Sequence, residues 1–181
     1  VHLQILTEIS HLSWKVHQKE LSISQTEDAF EKIKSIPPDN SWIVSVAVGF
    51  SCAGLCLFSQ GDFLNAMIAW LAAFLGSLCR FKIASMNFNA MISISVAAFV
   101  TTLITGFGSL YNIGLSPEAA MATAVLYLIP GVPLINSVID LIEGYLSSSI
   151  NRAMFAGLTL LTIAVGMTLC ITLLGIDNFK L

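Results

Sequence analysis

Residues 126–144 read LYLIPGVPLINSVIDLIEG, and this segment carries a contradiction. It is apolar enough for a membrane, yet it holds two prolines, an asparagine and two carboxylates. Pro130 and Pro133 each remove a backbone donor and crowd the preceding turn. A helix is therefore expected to break at Pro130, Gly131, Val132 and Pro133. Beyond the break, Asn136, Asp140 and Glu143 recur at i, i+4 and i+7, which places them on one helical face. At a rise of about 1.5 Å per residue, Asn136 lies only about 10 Å along the axis from Glu143. A carboxylate deep in a bilayer costs a helix about 2.5–3.5 kcal/mol on insertion scales, so such groups face a cavity or a partner. Broken helices with polar groups beside the break are how many transporters build a site near the bilayer midplane. The three side chains are expected to line a vestibule leading to the break.

Around this segment the composition sets the environment. Of 181 residues, 56% are hydrophobic and 10% charged, and the mean hydropathy is +0.84. Soluble domains carry about 25% charged residues, so most of this chain is expected in lipid. Five apolar segments, 42–58, 63–79, 90–110, 119–143 and 153–174, are each long enough, at about 17–25 residues, to cross a bilayer. The expected fold class is all-α: a polytopic membrane protein with five transmembrane helices, the fourth broken, preceded by short cytosolic helices. Residues 1–40 read as the end of a cytosolic helical region and 41–181 as the five-span domain. Within 1–20, Ile5, Ile9, Leu12 and Val16 share a helical face. Ser24 and Glu27 form a capping-box pattern for a second short helix, and Pro37, Pro38, Asp39 and Asn40 end it. The chain opens on Val1 without a signal sequence and is expected to be part of something longer.

Small residues supply packing surfaces. Gly49 with Ala53, Ala69 with Ala73, and Ala72 with Gly76 are small-xxx-small pairs that let helices approach closely. Gly106 and Gly108 are expected to loosen the end of the third span. The basic residues set the orientation. Lys15, Lys19, Lys32, Lys34, Arg80, Lys82 and Arg152 all flank one set of span ends, and only Lys180 lies on the other. The positive-inside rule then puts the N-terminal region in the cytoplasm and the C-terminus outside.

Several classes of function are excluded. A net charge of −3 without a basic cluster is no footprint for nucleic acid. Cys52, Cys56, Cys79 and Cys170 lie in apolar stretches without a C-x-x-C pair, so neither disulfides nor a metal site are expected. His2, His11 and His17 lack the i, i+4 spacing of a zinc pair. An aspartyl intramembrane protease needs two membrane aspartates, and only Asp140 qualifies. A serine-type one needs a membrane histidine, and all three histidines precede residue 18. The expectation is a protein that is not an enzyme and carries no cofactor. Arg152, on the same side as Asp140 and Glu143, is expected to pair with one of them, to attract an anionic substrate, or to anchor the topology. Burial pushes a carboxyl towards its neutral form unless Arg152 or backbone donors offset it, which makes Asp140 the candidate proton carrier of a transport cycle. The competing reading is a membrane scaffold or assembly subunit that transports nothing.

The pattern resembles the threonine/serine exporter family, in the half that carries a cytosolic region followed by five spans. The resemblance runs over nearly the whole chain and rests on Pro130, Gly131, Leu134, Asn136, Asp140, Leu141, Gly144 and Arg152, which match the family motif position by position. It implies a bacterial inner-membrane protein that exports small polar metabolites: threonine and serine, or dicarboxylates such as succinate. It also implies a second membrane subunit and an oligomeric assembly in the bilayer. The site residues it points to are Pro130, Gly131, Asn136, Asp140 and Arg152, with Glu143 beside them. Against the family pattern, the upstream cytosolic region is expected to be missing from this sequence.

Overall fold

The computed structural model describes residues 3–18, 22–36 and 40–176. The features placed above on His2, Lys19, Pro37, Pro38, Asp39 and Lys180 lie outside the described residues. The chain falls into two compact units, Val1–Asn40 and Ser41–Leu181. In the first, α1 (Leu3–His17) packs on α2 (Ile23–Lys34). The N-cap of α2 is Ser22: its Oγ accepts the Gln25 N–H at 3.4 Å, and Gln25 Oε1 accepts the Ser22 N–H at 3.0 Å. This reciprocal pair satisfies two end donors at once. The capping box is therefore Ser22 and Gln25 rather than Ser24 and Glu27, because Ser24 already lies in the first turn.

In the second unit, α3 (Ser41–Phe58), α4 (Phe63–Ser85), α5 (Ala90–Leu110) and α8 (Leu146–Leu174) are long and apolar enough to cross a membrane. Between α5 and α8 come α6 (Pro117–Ala124), a 3-10 turn (Leu126–Leu128) and α7 (Gly131–Ile142), bent by 65° at the break. Pro130 sits at the break as N-cap of α7, with Gly131, Val132 and Pro133 forming the first turn. Two prolines coexist there because first-turn donors have no partner inside a helix, so Pro133 removes nothing. The outer helices run past the apolar segments. α4 continues through Arg80 and Lys82, and α8 starts at Leu146, so Arg80, Lys82 and Arg152 stand on helices and not in loops. Arg and Lys are good helix formers, and their long stems let the charge reach water from a helix end.

Whether the bent pair crosses the bundle follows from helix directions. The Oγ1 atoms of Thr159 and Thr162 of α8 lie 4.0 and 3.7 Å from Met91 Sδ in the first turn of α5. Gly166 lies against Ser95 and Ala98, and Leu174 against Gly106. The two helices therefore run parallel, and the chain between them must return from one end of the bundle to the other. α6 does this inside the bundle, packed on α3, α4 and α5, while α7 packs on α8. With the bent pair counted as one return leg, the membrane unit has five candidate crossings. Val125 and Leu128 cluster with Ile94, Ala97, Ala98 and Ile163, so the break lies beside the N-terminal half of α5, towards one end of the bundle.

Small side chains make this close packing possible. Ala69, Ala72, Ala73, Gly76, Ala97, Ala98, Ala120 and Ala124 are all buried. Gly76 faces Thr101 and Tyr127 so closely that a Cβ there would collide with both hydroxyls. Gly106 is a packing position too, seated against Leu174, and α5 stays helical through Gly108 to Leu110. Buried threonines are accommodated by bonding back to the preceding turn, Thr101 to the Ala97 carbonyl at 2.8 Å and Thr123 to Ala119 at 2.6 Å. At the end of the bundle remote from α7, Asp62 Oδ1 accepts the Asn65 amide and the Leu115 N–H, the latter at 3.2 Å. This ties the α3–α4 turn to the α5–α6 loop.

Candidate functional site

The site begins with the way α7 ends. Glu143 is its C-cap and Gly144 follows with φ of 86°. The Tyr145 N–H reaches back to the Asp140 carbonyl at 2.8 Å and the Gly144 N–H to Leu141 at 3.2 Å. This is a Schellman motif, which needs a left-handed residue and so favours glycine. It turns the chain back within three residues, and α8 then rises alongside α7. Ser148 and Arg152, four apart on α8, share the face that meets α7.

Asp140 receives both. Ser148 Oγ donates to Asp140 Oδ2 at 2.6 Å, and Arg152 Nε lies 3.2 Å from the same oxygen. Next to them Ser149, itself buried, donates to the Ser137 carbonyl at 2.8 Å, and Ser137 is the buried residue of α7. The Asp140 side chain is only 15% exposed, whereas that of Arg152 is 44% exposed. Asn136 and Asn151 stand on either side of a groove of about 320 Å³ that Val132, Pro133, Arg152 and Phe155 complete. A second, wider groove, lined by residues 144–148, adjoins it and shares Asn151 and Arg152.

Of the residues expected at the site, Asn136, Asp140 and Arg152 are brought together. Glu143 is not: it stands exposed at the C-cap, and the ion pair Arg152 makes is with Asp140. Pro130 and Gly131 lie about 15 Å up the helix axis from Asp140. The start of α7 is also less open to a ligand than a half-helix end normally is. The Gly131 N–H bonds to the Ile129 carbonyl at 2.9 Å, Leu134 bonds to Pro130 at 3.1 Å, and Pro133 has no N–H, which leaves at most Val132. Ser148, Ser149 and Asn151 are not among the expected site residues. Their signal was the glycine just after Glu143, which marks a helix end and a reversal, with a serine run following it. Among the described residues no three His, Cys, Asp or Glu side chains gather as a metal site would require.

A second polar pair lies on the other side of the break, away from this site. Tyr127, in the 3-10 turn, has its hydroxyl 3.1 Å from Thr101 Oγ1. The Thr101 proton is directed at the Ala97 carbonyl, so Tyr127 is the donor of this pair. It fixes the bend to α5.

Comparison with known proteins gives a consistent result. The family model described as "Putative threonine/serine exporter" (ThrE) matches residues 1–174. A Klebsiella aerogenes protein named "Probable succinate transporter subunit YjjP" is 29% identical over 180 residues, covering 99% of this chain and 69% of the relative. The Escherichia coli K12 protein of the same name is also 29% identical, over 99% of this chain and 70% of its own length. A Mycobacterium tuberculosis protein named "Probable threonine/serine exporter" is 22% identical over 96% of this chain, but over 32% of its own length. No solved structure matches the chain. With a family match that runs from residue 1 to the last residue of α8, this chain belongs to the threonine/serine exporter family.

Proposed function

We propose that this chain is a subunit of a membrane transporter that exports small polar metabolites carrying a carboxylate, together with a second membrane subunit. The observation that carries the reading is the Asp140–Arg152 ion pair, held by Ser148 at the turn below a broken helix. Charged groups inside an apolar helical protein mark substrate or ion pathways far more often than they add stability. The names of the relatives support the class, since succinate, threonine and serine all carry a carboxylate. In this reading residues 1–40 are the end of a cytosolic region and 41–181 the transporting domain in the bacterial inner membrane. The C-terminal end of α8 then faces outward, five crossings from a cytoplasmic start. Asp140 exchanges the coupling proton, because neutralising it removes the counter-charge that holds Arg152.

The test is efflux of labelled succinate, threonine and serine from proteoliposomes holding this chain with and without a second family subunit, beside Asp140→Asn. Flux that needs both subunits, and that loses its pH dependence in the variant, supports the reading. An assembled complex that moves none of the three solutes refutes it and leaves a scaffold. Normal flux with unchanged pH dependence in Asp140→Asn removes the proton role alone.

A further inference from the structure

We infer that the solute carboxylate is held by Arg152 and Asn151, with Asn136 across the groove, and that Asp140 and Ser148 position Arg152 without touching the solute. The inference rests on the transporter reading for its solute class and goes beyond it in assigning the atoms. Asp140 lines neither of the two grooves, and its carboxylate already meets Ser148 and Arg152. Arg152 meets Asp140 through Nε, at 3.2 Å. Among the described residues no hydrogen bond occupies its terminal nitrogens, which are the planar edge that binds a carboxylate through two parallel N–H bonds. Anchoring Nε on a fixed, mostly buried oxygen orients that edge.

Asn151 and Arg152 are also the two residues the adjoining grooves have in common. An anion in the groove by the turn and an anion in the groove below the break meet the same pair. Asn136 closes the upper groove, and its amide, like that of Asn151, makes no hydrogen bond among the described residues. A volume of about 320 Å³ is ample for a four-carbon acid. Val132 and Phe155 give the groove an apolar wall against the carbon chain.

The experiment is equilibrium binding of labelled succinate and L-threonine to the purified full chain in nanodiscs, for wild type, Asn151→Ala, Arg152→Lys and Asp140→Asn. L-Threoninamide and inorganic phosphate serve as competitors. Asn151 is exposed, so its alanine variant keeps the fold, and circular dichroism checks all four proteins. The expected result is at least ten-fold weaker binding in Asn151→Ala, where a charge-assisted hydrogen bond is lost. Arg152→Lys should lose at least as much, since a lysine cannot present two parallel donors. Asp140→Asn should weaken binding less than either and should add nothing further when combined with Arg152→Lys, the mark of a residue acting through the arginine.

Unchanged affinity in Asn151→Ala and Arg152→Lys overturns the inference, as does a wild type that binds neither carboxylate. So does equal displacement by phosphate, which marks an anion patch of the kind a lipid headgroup would fill, or by the amide, which lacks the carboxylate. Flux that persists with unaltered KM in these variants overturns the assignment and leaves the transporter standing. Site-dependent binding without flux in the assembled complex does the reverse.

Discussion

At Asp140 a hydroxyl donor and a guanidinium converge on one carboxylate oxygen, and both come from a helix that begins only six residues later. The geometry depends on Gly144, whose φ of 86° an L side chain adopts only with strain. Gly144→Ala is expected to cost about 1 kcal/mol, read as a lower unfolding temperature in detergent. If it unfolds as wild type does, the turn does not hold the hairpin. Ser148→Ala removes a bond to a partly exposed carboxylate and should cost about 1 kcal/mol or less. Asp140, Asn136 and Arg152 were legible from the sequence because charge and amide groups stand out in an apolar run. Ser148 and Asn151 were not, because their relevance depends on the reversal at Gly144 and not on their own chemistry.

The broken helix behaves as two elements with different neighbours. α6 is buried among α3, α4 and α5, and α7 rests on α8, so the bend at residues 125–130 is where one body gives way to the other. The hydroxyl of Tyr127 pins this bend to Thr101, and Gly76 leaves just enough room for the pair. Tyr127→Phe keeps the ring and loses one hydrogen bond, an expected cost of about 1 kcal/mol. Gly76→Ala forces both hydroxyls aside and should cost more, about 1–3 kcal/mol. Thermal unfolding of the two variants side by side checks the order. Pro130→Ala restores a donor at the break, so spin labels at Ala122 and Ile139, both exposed, should move apart as the 65° bend opens. An unchanged distance would mean that packing, not proline, sets the angle. The break itself could be read from two prolines. Its angle could not, since it depends on which neighbour each half finds, and a stripe of apolar residues does not name its partner.

Across the whole membrane unit, the parallel run of α5 and α8 calls for a return leg between them. Single cysteines at Gln60, Asn112 and Gly175 should all react with an impermeant thiol reagent from one side, on a background with the native cysteines removed. Those at Asn87 and Gly144 should react from the other. Labelling of Gly144 from the Asn112 side would make the bent pair re-entrant and reverse the exit side of α8. Apolar length and charge bias alone pointed to five spans and to which ends lie together. Sequence patterning could not show that α5 and α8 are neighbours, because glycine, alanine and threonine make much of their close contact and no periodicity singles these residues out. The tie between Asp62, Asn65 and Leu115 was hidden for the same reason, being made by a backbone N–H some fifty positions away.

That α7 rests on α8 has a consequence for the order in which the protein is made. When α6 leaves the ribosome, the three helices that receive it are already in place. When α7 follows, its one extensive support does not yet exist, and Asp140 has neither Ser148 nor Arg152. The nascent chain therefore passes through a stage in which this segment lacks the helix it packs on. Chains stopped at Gly144 should hold α6 firmly while leaving α7 open to protease, and translation through the first turns of α8 should close that window.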